Sequence, residues 1–289
     1  MKCDKCDGKA LLTSPSLCKE HFQEYFENKV KKTIKDFNLI DKSDKVCVAA
    51  SGGKDSVTLL YLLNKFGYDV EALAVDEGIE GYRDHTLSFL KEFCEKHGIN
   101  IYIKSYKKEV GKQLDEVVPR GKPACHICGT FRRHLLNKYT QSYDKIATGH
   151  NLDDECQAVI MNLFKAQTQM LKRQGPKTSN IEGFTQKIKP LYLLKEKEIM
   201  IYSFLNDLNT PYNECPYAKE SYRFQVRDMI NKIESQKPGT KTNIIYKYLS
   251  IREEGERDTN SMNTCPECGS PCSSDICKAC RLKKAIRAV

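Results

Sequence analysis

Val46–Ser56 reads VCVAASGGKDS, five apolar residues followed by Ser51-Gly52-Gly53 and Lys54-Asp55-Ser56. An unbroken apolar run of this length predicts a strand covered on both faces, as in a parallel sheet. Adjacent glycines let the backbone turn sharply and come close to a ligand. The helix predicted to begin at Ser56 offers free N–H groups and the positive end of its dipole, which together make an anion site. Neither the Walker spacing nor GxGxxG occurs at this turn. Two glycines alone are equally well explained by an ordinary strand–helix turn. The whole string SGGKDS behind an apolar strand is far more specific.

On either side the chain alternates between two periods. Phe22, Phe26, Val30, Ile34 and Phe37 fall near helical spacing and predict a helix over 22–37. After the strand at 45–50 come a helix over 56–66, a strand over 69–75, a helix over 83–97 and a strand over 99–104. A helix over 130–140, a strand over 145–148 and a helix over 153–164 follow. Further helices are predicted over 196–208, 222–232 and 243–252. Gln167–Gly183 reads as a long loop and Arg252–Thr264 (REEGERDTNSMNT) as a polar linker. Strands alternating with helices predict an α/β fold, a parallel sheet with helices on both faces.

The 289 residues carry 47 Lys and Arg against 38 Asp and Glu, a net charge of +9. Hydrophobic residues at 40% suffice for a packed core and exclude wholesale disorder. No apolar run approaches the roughly 20 residues of a membrane-spanning helix. Met1-Lys2-Cys3-Asp4 lacks the apolar stretch of a signal peptide. The expectation is a cytoplasmic protein with no membrane partner. The basic balance favours a polyanionic partner through counterion release, although a solvated basic face has the same composition.

The 14 cysteines carry more information, with three in the first 18 residues and five in the last 25. In a reducing compartment such thiols read as metal ligands, catalytic groups or small buried residues before disulfides. Cys3-x2-Cys6-x11-Cys18-x2-His21 and Cys265-x2-Cys268-x8-Cys277-x2-Cys280 have the ligand types and spacing of two tetrahedral Zn2+ sites. Each would hold shape, because so short a segment lacks a core and the metal supplies the missing folding free energy. Cys272 falls outside the pairs and reads as a spare thiol, and Cys47, Cys94 and Cys156 read as buried apolar residues. Cys125-x2-Cys128 (in GKPACHICGTFRR) and Cys215 (in NECPY) instead have Pro or Gly nearby, as loop ligands would. Three such thiolates suit a [4Fe-4S] cluster with one open iron, or a redox trio that makes a disulfide or persulfide. Spacing leaves both open.

SGGKDS at 51–56 resembles the PP-loop of the ATP pyrophosphatase superfamily. Members of that superfamily bind ATP on a Rossmann-like sheet, split it between the α- and β-phosphates and activate a carbonyl oxygen as its adenylate. The resemblance implies that Ser51, Gly52, Gly53, Lys54, Asp55 and Ser56 hold the pyrophosphate part of ATP, with Asp55 near Mg2+. Ligands of such folds lie at the carboxyl ends of strands, which implies Ala49, Ala50, Val75, Asp76 and Gly149 around the nucleoside.

The order of zinc knuckle, SGGKDS, central CxxC, GHNLDDE at 149–155, a later Cys before Pro, and terminal ribbon spans nearly the whole chain. It resembles the tRNA 2-thiouridine synthetases of the TtcA/TtuA superfamily, in the two-zinc group with TtuA and the archaeal and eukaryotic wobble-uridine thiolases. The resemblance implies a zinc finger over 1–26, a PP-loop catalytic domain over 27–252 and a zinc ribbon over 253–289. It implies Cys125, Cys128 and Cys215 as ligands of a [4Fe-4S] cluster, and a cationic role for Arg132, where relatives often carry Lys. The implied reaction is ATP-dependent adenylation of a tRNA uridine O2 and its replacement by sulfur. Wobble uridine 34 is the expected target, with uridine 54 as the alternative.

Asp55, Arg132 and Asp153 are the catalytic candidates. Asp153 and Asp154 also read as the acidic first turn of a helix, and His150 as a satisfied loop histidine. The tRNA partner would meet Lys278, Arg281, Lys283, Lys284 and Arg287, with Lys172, Arg173 and Lys177 on the long loop. The sulfur donor would be free sulfide, a desulfurase persulfide or a ubiquitin-like thiocarboxylate, and the assembly a homodimer. Two rival classes stand beside this reading. One is a cluster-free PP-loop tRNA-modifying ligase: with a Cys persulfide relay it would use these thiols, whereas an amidotransferase-type synthetase or lysidine-type ligase has no use for Cys125, Cys128 and Cys215 together. A non-catalytic RNA-binding zinc protein has no need of SGGKDS.

Overall fold

The structure, a computed structural model, describes residues 1–13, 15–118, 124–211, 214–218, 221–252 and 263–287. A short hairpin, β1 (Leu12–Thr13) and β2 (Ser16–Leu17), leads into α1 (Lys19–Asp36). Then come β3 (Lys45–Ala49), α2 (Lys54–Lys65), β4 (Asp69–Asp76), α3 (Arg83–Lys96) and β5 (Ile101–Ser105). The middle of the chain supplies α4 (Tyr106–Val110), α5 (Leu114–Val117), α6 (Ala124–Tyr139), β6 (Lys145–Thr148), α7 (Leu152–Phe164) and α8 (Thr168–Lys172). It continues with β7 (Gln186–Ile188), α9 (Glu196–Leu205), α10 (Tyr222–Gln236) and α11 (Thr240–Ile251). A second hairpin, β8 (Asn263–Thr264) and β9 (Pro271–Cys272), and α12 (Lys278–Arg287) follow.

Five strands form one sheet in the order β5-β4-β3-β6-β7, and every neighbouring pair is parallel. Alternation along the strands divides the core into two layers. Val46, Val48, Ala72, Ala74 and Ala147 face the side packed by α1, α2, α3 and α9. Cys47, Leu73, Val75 and Ile146 face the other side, with residues of α4, α5, α6 and α12. Helices therefore cover both faces, as the alternating pattern predicts. α1 turns Phe22, Phe26, Val30 and Ile34 inward, and Phe26 stacks on Tyr202 of α9 with ring centroids 4.3 Å apart.

The chain fills β3, β4 and β5 in one direction and then returns to place β6 and β7 on the other side of β3. Between β3 and β6 the connections leave in opposite directions, which opens a crevice at the strands' carboxyl ends. Several boundaries differ from those read in the sequence. α6 begins at Ala124, so Cys125 and Cys128 lie on a helix and not in a loop. The stretch 167–183 contains α8, while β7, α4 and α5 are too short to have shown a period. α1 runs unbroken across residue 26. Most of the linker, 253–262, lies outside the described residues. Among the described residues no helix is long and apolar enough to cross a membrane.

Candidate active site and cysteine clusters

At the β3/β6 crevice lies a cavity of about 340 Å³. Ala49, Ala50, Ser51, Asp55, Ser56, Val75, Gly149 and Arg132 all line it. Two glycines make its shape possible. Gly52 has φ +83°, and a Cβ there would lie 2.4 Å from the Thr86 carbonyl oxygen. A Cβ on Gly149 would lie 2.8 Å from the Ser56 nitrogen, so only glycine lets β6 close on the start of α2. The Ser51 N–H donates to Ser56 Oγ at 3.1 Å, and Ser56 Oγ donates to the Gly53 carbonyl at 3.0 Å, which braces the loop.

Lys54 Nζ bridges Asp55 at 3.1 Å and Glu196 at 2.7 Å. Burial pushes the Asp55 carboxyl above its ordinary range; Lys54 opposes that shift and Asp154 adds to it. Gly53 and Lys54 face a second cavity of about 550 Å³ on the far side of the loop, and Asp55 borders both. Asp76 is not in the wall of the first cavity. Its carboxylate accepts the Gly78 N–H at 2.9 Å and serves the turn after β4.

α7 begins at a reciprocal cap: Asn151 accepts the Asp154 N–H at 3.1 Å, and Asp154 accepts the Asn151 N–H at 3.3 Å. Successive helical residues point about 100° apart, so Asp153 and Asp154 diverge. Asp154 lines the first cavity with Arg223, which donates to it at 3.2 Å. Asp153 turns away, accepts the Glu196 N–H at 2.8 Å and pairs with Lys241 Nζ in the wall of the second cavity. Of the two, Asp154 and not the catalytic candidate Asp153 faces the first cavity. Asp153→Asn is expected to cost about 3–5 kcal/mol of stability, as when one partner of a buried ion pair is removed. Activity per folded molecule should persist; a urea melt paired with an activity assay checks both.

The central thiols gather at the Arg132 end of the first cavity. Arg132 NH2 donates to Cys128 Sγ at 3.2 Å, and the Cys128 carbonyl accepts from Tyr106 Oη at 2.7 Å. Cys125 Sγ lies 3.8 Å from the Tyr217 carbonyl, and Tyr217 Oη donates to Asp115 at 2.8 Å. Those two contacts dock the segment carrying Cys215 onto α5 and α6. Burial pushes the Cys215 thiol up, and the nearby Cys128 and Cys125 sulfurs add to the shift. Burial raises Cys128 as well, with Arg132 working against it.

The terminal sets are tighter. In each, the four ligand atoms of Cys3, Cys6, Cys18 and His21, or of Cys265, Cys268, Cys277 and Cys280, lie within 4.8 Å of one another. Cys6 and Cys18 sulfurs are 3.8 Å apart, Cys268 and Cys277 sulfurs 3.7 Å, and His21 Nδ1 is 3.4 Å from Cys3 and 3.3 Å from Cys18. A tetrahedral ion with ~2.3 Å bonds to sulfur separates its ligands by about 3.8 Å. Backbone N–H groups of Lys5 and Gly8 point at Cys3 and Cys6, and that of Cys277 points at Cys265, each at 3.4 Å. Burial alone would raise Cys3 and Cys265, yet backbone N–H groups hold each thiol down to about 6. Cys272 stands apart and donates to the Ser274 carbonyl at 2.8 Å.

Residues 22–232 match the PP-loop domain family. The chain is 37% identical to a tRNA-5-methyluridine(54) 2-sulfurtransferase of Pyrococcus horikoshii, over 99% of this chain and 96% of the relative. It is 35% identical to the tRNA 2-thiolation protein NcsA of Haloferax volcanii over the full length of both. The chain belongs to the PP-loop family of tRNA 2-thiolation proteins. A solved member, the U34-tRNA thiolase NcsA from Methanococcus maripaludis with its [4Fe-4S] cluster, superposes with a TM-score of 0.85 at 33% identity. The match covers 99% of this chain and 96% of that one.

For this PP-loop thiolation family member, sequence reading missed Glu77, Arg83 and Arg223 in the cavity wall and took Asp154 only as part of an acidic helix start. The signal for Glu77 was within reach, since it directly follows the strand-end candidates Val75 and Asp76. Arg83 and Arg223 sit at helix starts that no motif marks. Of the basic residues expected to fringe a nucleic-acid partner, several are tied down. Lys283 donates to the Glu109 carbonyl at 2.5 Å, Lys284 pairs with Glu267 at 2.8 Å and Lys177 donates to the Asn38 carbonyl at 3.4 Å. The side chain of Arg287 lies outside the described residues.

Proposed function

We propose that this chain is an ATP-dependent tRNA uridine 2-sulfurtransferase that forms AMP and pyrophosphate. The observation that carries the reading is that one cavity has the PP-loop at one end and, at the other, Arg132 resting on Cys128. The Ser51–Ser56 loop and the start of α2 bind the β- and γ-phosphates through N–H groups and the helix dipole. Ala49, Ala50, Val75 and Gly149 shape the wall for the nucleoside. Asp55, buried beside Asp154 and Glu196 with only Lys54 opposing, is a carboxylate site short of positive charge and fits Mg2+.

Uridine C2 is a poor electrophile until its O2 becomes a leaving group. O2 attacks the α-phosphate, pyrophosphate departs, and the adenylated uridine then accepts sulfur at C2 with loss of AMP. Arg132 neutralises charge that develops at this end of the cavity. Its guanidinium stays protonated, so it acts through charge and hydrogen bonding and not by proton transfer. Asp154, held by Arg223, orients the base. The three thiols, with one cation beside them and no fourth protein ligand named by spacing, fit three-point attachment of an iron–sulfur cluster. A [4Fe-4S] cluster bound by Cys125, Cys128 and Cys215 would supply an iron with an open position for sulfide.

The terminal sets have the ligand geometry of Zn2+ and hold the fold. Cys268→Ala is expected to halve the zinc content, melt the 263–287 segment and weaken tRNA binding, while ATP affinity changes little. Metal analysis, filter binding and ATP titration check this. Unaltered tRNA affinity in a variant lacking that zinc would sink it. The reducing cytoplasm, the homodimer and a sulfur supply from sulfide, a desulfurase or a ubiquitin-like thiocarboxylate belong to the same reading.

Likeness to the U34 thiolase supports wobble uridine as the target, and the Pyrococcus relative supports uridine 54 as the second reading. Mapping thionucleosides in tRNA from a strain deleted for this chain tests both. Loss of 2-thiolation at position 34 is expected. Loss at 54 would select the second reading, and unchanged thionucleosides would overturn the function.

A further inference from the structure

Glu77 follows β4 and is buried, with 3% of its surface exposed. Its Oε2 lies 2.7 Å from Arg83 Nε, and its Oε1 lies 2.9 Å from Arg132 NH2. Arg83 in turn donates through NH1 to the Ser51 carbonyl at 2.7 Å and through NH2 to the Val75 carbonyl at 2.5 Å. Arg132 donates to Cys128 Sγ at 3.2 Å. Ser51, Arg83, Glu77, Arg132 and Cys128 thus form one unbroken chain of polar contacts across the cavity. A buried carboxylate is retained only where it is paired, and here each of its oxygens meets a guanidinium from a different helix. The arrangement fixes both arginines at once.

We propose that Glu77 is the positioning residue of this site, a carboxylate that spans two guanidiniums and holds Arg132 on Cys128 in register with the PP-loop. The inference rests on the function proposed above for its ATP site. Phosphates that enter the loop act on Ser51, and the Arg83–Glu77–Arg132 chain carries the displacement to Cys128. Networks of this kind couple sites when each member has a defined partner, and coupling must be measured to be claimed.

Two measurements test it. In the first, the full-length iron-free protein is alkylated with iodoacetamide with and without ATP, and Cys128 is followed by mass spectrometry. ATP is expected to change the wild-type rate by about fivefold or more. Glu77→Gln should abolish that change while binding ATP with nearly wild-type affinity. If Glu77→Gln fails to fold, Arg132→Gln, whose side chain is half-exposed, should abolish the ATP effect in the same way. No ATP effect in the wild type, or an undiminished one in the folded variants, overturns the proposal.

In the second, Glu77→Gln and Arg132→Gln are each expected to lower the thiolation kcat by about 100-fold with little change in the KM for ATP. If Glu77 acts through Arg132, the double variant loses no more than either single one, and additive losses overturn the proposal. Alkylation needs neither tRNA nor sulfur, so a chain without thiolase activity would fail the proposed function and still leave this inference tested.

Discussion

Alanine at Cys125, at Cys128 or at Cys215 is expected to remove visible iron–sulfur absorbance and tRNA thiolation together, leaving zinc content intact. Two remaining thiolates cannot hold a cluster that three attach, so the three variants should behave alike. The fold should tolerate each change. Cys125 is exposed, Cys215 is half-buried, and Cys128 gives up a single sulfur. Anaerobic purification, iron and zinc analysis and a thionucleoside assay read the outcome. Full activity in Cys215→Ala, together with thiolation by iron-free wild-type protein, would replace the cluster with a persulfide relay on Cys125 and Cys128.

Asp55→Ala should lower thiolation by about 10³-fold, the upper range for removing a group that stabilises charge at a reacting centre. The variant should remain folded for a specific reason. Lys54 keeps Glu196 at 2.7 Å, so no charge is left without a partner, and the chief local loss is the acceptor for Asn151 Nδ2 at 3.1 Å. A circular dichroism melt close to wild type, with pyrophosphate release reduced in step with thiolation, is the expected pair of results. Product formation at the wild-type rate would remove Asp55 from the phosphate and metal site.

The contrast between Asp55 and Asp153 marks what a linear sequence could and could not yield. The sheet was legible because β3, β4 and β6 have buried apolar centres, β5 is a β-branched edge run, and SGGKDS stands where an anion-binding turn must. β7 was not, since three residues carry no period. The choice between Asp153 and Asp154 depends on which way a helix is rotated about its axis, and that is decided by Lys241, Glu196 and Arg223, all distant in the chain. Glu77 and Arg83 escaped notice for a related reason. Arg83 has meaning only through Glu77, and Glu77 through the two arginines that meet it, a pairing created by packing α3 and α6 against the same strand. The terminal cysteine sets were legible because their ligands are close in sequence. The central trio needed Tyr217 to bring Cys215 across 87 residues.

Helix α6 presents two of the central thiols, and on its outer side it packs beneath α12. Lys283 and Lys112 fasten that cover through the carbonyls of Glu109 and Ile286, at 2.5 and 3.3 Å. During synthesis the sheet, the PP-loop and α6 all leave the ribosome well before α12 does. A nascent chain can therefore become competent to hold nucleotide while α6 still lacks its cover. The wall that carries Cys125 and Cys128 is complete only once the 263–287 segment has folded back onto α6, which ties the maturation of the site to the far end of the described chain.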